Sequence, residues 1–96
     1  MSYELDFLED ALKEWRKLDA NTREQFKRKL VERCQEPHVP SARLHGGKDI
    51  YKIKLRTVGY RLAYQVLERE IVVMVIAIGR RDKRDFYDDA IGRAPL

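Results

Sequence analysis

The chain has 96 residues, enough for one hydrophobic core and too few for two, so a single domain over residues 1–96 is predicted. Charged residues make up 38% of the sequence, and the net charge of +4 favours a nucleic acid or an acidic protein as partner. The only cysteine, Cys34, excludes an intrachain disulfide and fits a reducing cytoplasm. No apolar stretch is long enough to cross a membrane, and the start lacks the features of a signal peptide.

The first third of the chain predicts a short strand and two helices. Apolar and polar residues alternate over residues 3–7, which is the pattern of a strand. Over residues 8–18 the apolar residues recur at helical spacing. Asn21 and Glu24 have the spacing of a capping box, so a second helix is expected to begin near Thr22 and to end before the first proline.

The remaining elements are a loop, three strands and a last helix. Residues 36–49 contain two prolines and two glycines and are predicted to be a loop. Apolar residues alternate with polar ones over residues 51–56 and again over residues 60–66, which predicts two half-buried strands. Residues 71–78 are almost wholly apolar and fit a central strand. Residues 85–93 fit a short helix.

The predicted fold class is therefore α/β (α+β). We expect a small antiparallel β-sheet, an N-terminal helical hairpin laid on it and a short C-terminal helix.

Basic residues gather on one side of the two alternating strands. The apolar positions share a face only if the connecting loop holds an even number of residues, and a two-residue turn at 58–59 meets this condition. That register places Arg56 opposite Arg61. Like charges on paired strands destabilise a sheet, so a polyanion is the expected reason for this basic face. Its members are Lys52, Lys54, Arg56 and Arg61.

More basic residues are expected near this face. One group follows the central strand and another lies in the long loop; together they are Arg80, Arg81, Lys83, Arg84, Arg43, His45 and Lys48. Any one of them is ordinarily a solvated surface charge. As a group they favour a concave site for phosphate.

Tyr87 follows the basic group and has two interpretations. It is either a half-buried tyrosine of the last helix or a phenol whose ionised form is favoured by nearby cations. The residues alone favour the first interpretation. Asp85, Asp88 and Asp89 are better explained as acids in a first helical turn than as metal ligands, so no metal or other cofactor is predicted.

Four segments resemble the RelE toxins of the RelE/ParE superfamily over nearly the whole chain. They are Leu-Lys-Glu-Trp, Tyr-Lys-Ile-Lys-Leu-Arg, Gly-Tyr-Arg-Leu-Ala-Tyr-Gln-Val and Val-Ile-Ala-Ile-Gly-Arg-Arg, in that order. The resemblance implies a ribosome-dependent endoribonuclease that cuts mRNA in the A site. It also implies inhibition by a RelB-like antitoxin, with operator DNA contacted only through that antitoxin.

The resemblance also implies a set of catalytic residues. These are Lys52, Lys54, Arg61, Arg81 and Tyr87, all present here. Tyr87 would accept a proton, the lysines and Arg61 would hold the phosphate, and Arg81 would stabilise the leaving oxygen. One departure is His45, where many relatives carry arginine. Two alternatives stay open: a ParE-like inhibitor of DNA gyrase, and a non-catalytic module that contacts operator DNA together with its antitoxin.

Overall fold

A computed structural model describes residues 2–82 and 85–96, which form a four-stranded sheet with helices on both faces. The elements in chain order are β1 (Glu4–Phe7), α1 (Glu9–Lys17), α2 (Ala20–Gln35), a 3-10 turn (Pro40–Ala42), β2 (Ile50–Leu55), β3 (Tyr60–Leu67), β4 (Val72–Arg80) and α3 (Asp85–Arg93). The predicted fold class is confirmed, including the helical pair and the short last helix. Within the described residues, no helix has the length and apolar character needed to cross a membrane.

The sheet is mixed, with strand order β1-β4-β3-β2. The expected antiparallel pairing holds for β2 with β3 and for β3 with β4. Strand β1 departs from it and pairs parallel with β4. This pairing is possible because α1, α2 and two strands separate β1 from β4 in the chain, which leaves ample length for a crossover.

The two faces of the sheet carry separate apolar clusters. Helices α1 and α2 cover the larger cluster, whose sheet residues include Ile53, Leu62 and Tyr64. Helix α3 covers the smaller one, formed with Ile50, Ala63, Ile76, Ala77 and its own Phe86 and Ala90. Strand β4 is thus buried on both sides, as its continuous apolar sequence predicts.

A β-bulge interrupts the pairing of β3 with β4. Ala63 pairs with Ala77 and Tyr64 with Val75, which leaves Ile76 without a partner in the ladder. One extra residue reverses the alternation of faces along the strand. Ile76 and Ala77 consequently both belong to the cluster under α3.

Two local predictions need correction. Helix α2 begins at Ala20, because Asp19 is its N-cap and accepts a hydrogen bond from the Thr22 backbone N–H at 2.7 Å. That bond also lowers the pKa of the Asp19 carboxyl. The capping box predicted at Asn21 is therefore wrong by two residues.

The second correction concerns the β2–β3 turn. It holds the four residues 56–59 rather than two, and Gly59 takes a positive φ of 71° there. Lys54, and not Arg56, is consequently opposite Arg61. The loop length is still even, so the apolar side chains share a face as predicted.

Candidate active site

Strands β2 and β3 place three cations under helix α3. Lys52 and Lys54 alternate with buried Ile53, so their side chains leave the sheet on the α3 face. Arg61 lies opposite Lys54 on the same face. Helix α3 is anchored to this face by Phe86, which is 4% exposed, and the next residue is Tyr87. The fold therefore brings a phenol to a row of cations.

The Tyr87 ring is in contact with two of these cations. Arg61 donates a hydrogen bond from Nη1 to the Tyr87 hydroxyl oxygen, and its guanidinium carbon lies 5.3 Å from the ring centroid. The Lys52 Nζ lies 5.9 Å from the same centroid. Phe86 meets the ring edge-on at 5.2 Å between centroids. A donor on the hydroxyl oxygen and two cations near the ring place the phenol in a strongly positive environment.

The neighbouring cations destabilise the charged form of Lys54. The charge of Lys52 lowers the pKa of Lys54, and partial desolvation and the charge of Arg61 lower it further. An ammonium group beside another cation loses its proton more readily, and it also gains more when an anion arrives. Lys54 is thus suited both to bind phosphate and to exchange a proton.

A shallow cleft of about 310 Å³ joins these residues to the end of β4. We refer to it as the basic cleft; it is lined by Lys54, Leu55, Arg56, Tyr60, Arg61 and Arg81. The Arg81 backbone N–H donates to the Gly59 carbonyl oxygen at 2.9 Å, which ties the segment after β4 to the β2–β3 turn. All charged side chains of this lining are basic, so the cleft is complementary to a phosphate group.

All five predicted catalytic residues therefore meet in one place. Lys52, Arg61 and Tyr87 form the half-buried part around the ring, while exposed Lys54 and Arg81 lie at the opening of the basic cleft. This proximity comes from three separate elements and the segment after β4.

The additional basic residues are divided between the two ends of the sheet. Arg56 lines the basic cleft, and Arg80 places its guanidinium carbon 5.6 Å from the centroid of the Tyr60 ring beside that cleft. The loop group of Arg43, His45 and Lys48 lies instead before the start of β2, at the end of the sheet away from the basic cleft. There the Lys48 carbonyl accepts a hydrogen bond from Gln65. Strand β2 separates these ends by roughly 17 Å. Lys83 and Arg84 lie outside the described residues.

Tyr60 is a site residue that the sequence pattern missed. Its alternation with Leu62 and Tyr64 predicts a side chain directed into the core, and it does pack against that cluster. It is nevertheless half-buried, and it also lines the basic cleft. The available signal was its position directly after Gly59, at the turn that borders the basic cleft.

The acidic and histidine residues do not form a metal site within residues 2–82 and 85–96, where no group of three potential ligands converges. Asp89 lies 3.5 Å from Arg93, and His38 lies 2.7 Å from Glu68. Asp85 and Asp88 lie in the first turn of α3, as predicted.

Comparison with known proteins is consistent with this arrangement. Residues 5–85 match the protein family described as the ParE toxin of the type II toxin–antitoxin system parDE. The mRNA interferase toxin RelE of Escherichia coli strain K12 is 52% identical over 93 residues, which cover 97% of this chain and 98% of that protein.

Two solved structures extend the likeness to the fold. The free E. coli toxin RelE, in an arginine-to-alanine double mutant, is 50% identical with a TM-score of 0.90, covering 97% of this chain and 98% of that one. A chain of the intact E. coli RelBE toxin–antitoxin complex is 52% identical with a TM-score of 0.82, covering 85% of this chain and 100% of that one.

Proposed function

This chain belongs to the RelE/ParE family of toxins from type II toxin–antitoxin systems, and from that premise we propose that it is an mRNA interferase. In this proposal it is an endoribonuclease that cuts mRNA in the ribosomal A site and so inhibits translation. The observation that carries the proposal is the convergence of Lys52, Lys54, Arg61 and Arg81 on the Tyr87 side of the sheet. Relatives with 52% identity bear the name mRNA interferase.

RNA supplies its own nucleophile for this reaction. The 2′-hydroxyl attacks the adjacent phosphorus, a 2′-oxygen–phosphorus bond forms, and the bond from phosphorus to the 5′-oxygen breaks. The 2′-proton must be accepted, and the leaving 5′-oxygen must gain a proton. The protein therefore needs a base, cationic groups for the charge on the phosphorane, and a donor for the leaving oxygen.

Tyr87 is the proposed base. Its oxygen accepts a hydrogen bond from Arg61, and the charges of Arg61 and Lys52 lie beside its ring, where they would offset the negative charge that develops during proton transfer. Lys54 is a second group able to take up a proton, because the charge of Lys52 lowers its pKa. A pH–rate profile of Tyr87→Phe separates these roles, since the cleavage rate of this variant keeps its rise with pH only if Lys54 acts as the base.

The other cations are proposed to stabilise the transition state. Lys52, Lys54 and Arg61 surround the position of the phosphate, where a gain in negative charge strengthens each interaction. Arg81 lies across the basic cleft and is assigned to the leaving oxygen. A guanidinium gives up protons poorly, so its main contribution is charge stabilisation and hydrogen bonding.

Such acid and base groups are weak, and this motivates the proposed dependence on the ribosome. Correct placement of the reacting atoms can supply a large share of a rate enhancement, and the ribosomal A site would hold the mRNA strand in place. We therefore propose the ribosome and its mRNA as partners in the cytoplasm. We also propose a RelB-like antitoxin as the inhibitor, with operator DNA reached only through it.

The test is cleavage of a defined mRNA on programmed ribosomes, read by primer extension. We expect rapid cleavage in the A site, slow cleavage of the same mRNA without ribosomes, and no effect on gyrase supercoiling. Cleavage should persist when EDTA is added at a level that leaves the ribosomes intact. Intact mRNA on ribosomes together with gyrase inhibition would overturn the proposal.

A further inference from the structure

Arg93, at the end of helix α3, joins three elements through one guanidinium group. It donates hydrogen bonds to both Glu14 carboxylate oxygens, at 2.8 and 3.2 Å, and to the Ile76 carbonyl oxygen at 3.2 Å. Asp89 lies 3.5 Å away on the same helix. Glu14 in turn accepts the Ile78 backbone N–H at 3.0 Å. We refer to Glu14 and Arg93 as the clamp.

The clamp also hydrogen-bonds two backbone groups of β4. Ile76 is the bulged residue of β4, and its carbonyl is one of the acceptors of Arg93. Strand β1 ends at Phe7, opposite Val75, so the Ile78 N–H lies beyond its reach and bonds to Glu14 instead. Buried backbone groups require hydrogen-bond partners, so these two bonds stabilise the strand against which α3 packs.

Helix α3 is short, so its position depends on a small number of tertiary contacts. It has nine residues, and only Phe86 and Ala90 are fully buried. A helix of this length is marginal without tertiary contacts. The Arg93 side chain is 22% exposed and that of Glu14 is 30% exposed, so solvent screens their bidentate interaction only in part.

A second set of hydrogen bonds holds the segment that follows the helix. Gln65 is fully buried in β3, and its side-chain oxygen accepts the Leu96 backbone N–H at 3.1 Å. Its side-chain nitrogen donates to the Lys48 carbonyl at 2.8 Å. The terminal segment is therefore bound to the sheet on the same side as Tyr87.

We propose that the Glu14–Arg93 clamp is a positioning device that sets the Tyr87 hydroxyl against Arg61, with Arg93 as a positioning residue that acts through α3. Its kinetic consequence rests on the proposed function. The Tyr87 hydroxyl lies at the end of a long side chain, so a small rotation of α3 displaces it by roughly 1 Å. A misplacement of that size can slow a reaction by about a hundredfold.

The experiment compares Arg93→Gln, Arg93→Lys, Glu14→Gln and the Glu14→Gln/Arg93→Gln double variant. Arg28→Gln is the charge-matched control, because Arg28 forms an exposed pair with Glu24 on α2, away from α3. Single-turnover cleavage is measured on programmed ribosomes at saturating toxin, and ribosome affinity is measured separately. In the free proteins, hydrogen exchange of the α3 amides and the NMR shifts of the Tyr87 ring are recorded.

We expect Arg93→Gln to slow cleavage at least tenfold with unchanged ribosome affinity, lower α3 protection and shifted Tyr87 resonances. Arg93→Lys should recover part of the rate, because it keeps the charge without the bidentate geometry. Glu14→Gln should act more weakly, since its amide oxygen still accepts from Ile78. The double variant should be slowed less than the product of the two single effects, and Arg28→Gln should match the parent.

Two results would overturn the inference. One is a parent-like cleavage rate in Arg93→Gln despite reduced α3 protection, which would make the clamp purely structural. The other is Tyr87 resonances and α3 protection that stay unchanged when the clamp is removed. If the parent protein does not cleave at all, the proposed function fails, and the NMR and exchange data still decide whether the clamp positions Tyr87.

Discussion

The two ends of strand β3 differ in whether their polar side chains have partners. At the first end, Arg61 lies opposite Lys54 and shares the basic cleft with Arg81. None of the ion pairs among the described residues involves these cations. Toward the other end, Tyr64 and Gln65 are fully buried, and each has its hydrogen bonds satisfied.

This difference indicates which end of the strand serves function and which end serves stability. Satisfied polar groups stabilise the fold and specify its arrangement. Unpaired like charges on neighbouring strands reduce stability, so their presence requires another explanation. A phosphate group supplies it, since its negative charge would offset these cations, which form no ion pair with an acidic side chain among the described residues. Substitutions at the first end should therefore affect catalysis, and substitutions at the other end should affect stability.

The largest effect is expected for Tyr87→Phe. The substitution removes the proposed proton acceptor and keeps the ring between Arg61 and Lys52, so the fold should stay intact. Loss of a general base typically slows a reaction by about 10² to 10⁴-fold. Single-turnover cleavage on programmed ribosomes and a thermal melt check this expectation. Cleavage at the parent rate would remove Tyr87 from the chemistry.

Arg81→Ala should cause the next largest loss of cleavage rate. Its side chain is exposed, while its backbone N–H keeps the bond to the Gly59 carbonyl, so the melting temperature should hardly change. Removing one charge-stabilising group from a transition state costs roughly 10² to 10³-fold in rate. Ribosome affinity should change little. A loss of affinity with an unchanged cleavage step would identify Arg81 as a binding residue instead.

Tyr64→Phe tests the opposite end of the comparison. The Tyr64 hydroxyl donates to the Pro37 carbonyl at 2.7 Å and accepts from Arg33 at 2.8 Å, and the residue is 0% exposed. Its loss leaves the buried Pro37 carbonyl without this donor, while Arg33 keeps its bond to the Lys52 carbonyl at 3.3 Å. The free energy of unfolding should fall by about 1–3 kcal/mol. Urea unfolding measures that change. The cleavage step, assayed well below the melting temperature, should equal that of the parent; a slower step would contradict the division between the two ends.

Lys52→Ala should affect both properties in opposite directions. Cleavage should slow by about tenfold as one phosphate-binding charge is lost, while the fold gains some stability because Lys54 no longer faces a like charge. The pKa of Lys54 is lowered by Lys52 in the folded protein. Between that pKa and the ordinary lysine value the unfolded chain binds more protons, so the stability of the parent rises with pH there.

This alkaline rise in stability should shrink in Lys52→Ala. Denaturant unfolding over a series of alkaline pH values measures it, with Lys48→Ala as a control at the other end of the sheet. Equal pH dependence in parent and Lys52→Ala would mean that the two ammonium groups do not interact.

Sequence patterns predicted the structural features that depend on neighbouring residues, and they missed the features that depend on residues distant in the chain. Alternation identified the faces of Lys52 and Lys54, and an even loop length preserved them even though the turn was two residues longer than expected. The bulge at Ile76 depends on the pairing of β3 with β4 and on the packing of α3. No local pattern records it.

Local sequence patterns were also insufficient to identify the site residues. The five catalytic candidates came from a resemblance to a family, while alternation alone indicated only a basic face. The clamp joins residues that are 79 positions apart, and each of them taken singly is an ordinary surface charge. The capping box predicted at Asn21 lies two residues after the actual N-cap, Asp19, and only the folded structure shows this.

The smallest effect is expected for His45→Arg. His45 is exposed in the loop before β2, where Gly46 and Gly47 lie near Ile91 of α3 and far from the basic cleft. An added charge there can attract the RNA backbone only at a distance, and salt at physiological strength screens such attraction over about 8 Å. We expect modestly tighter binding to programmed ribosomes at low salt, no difference at high salt, and an unchanged cleavage step. A cleavage step that becomes several-fold faster would show that the loop end of the sheet reaches the reacting phosphate, and the division between the two ends of β3 would then be wrong.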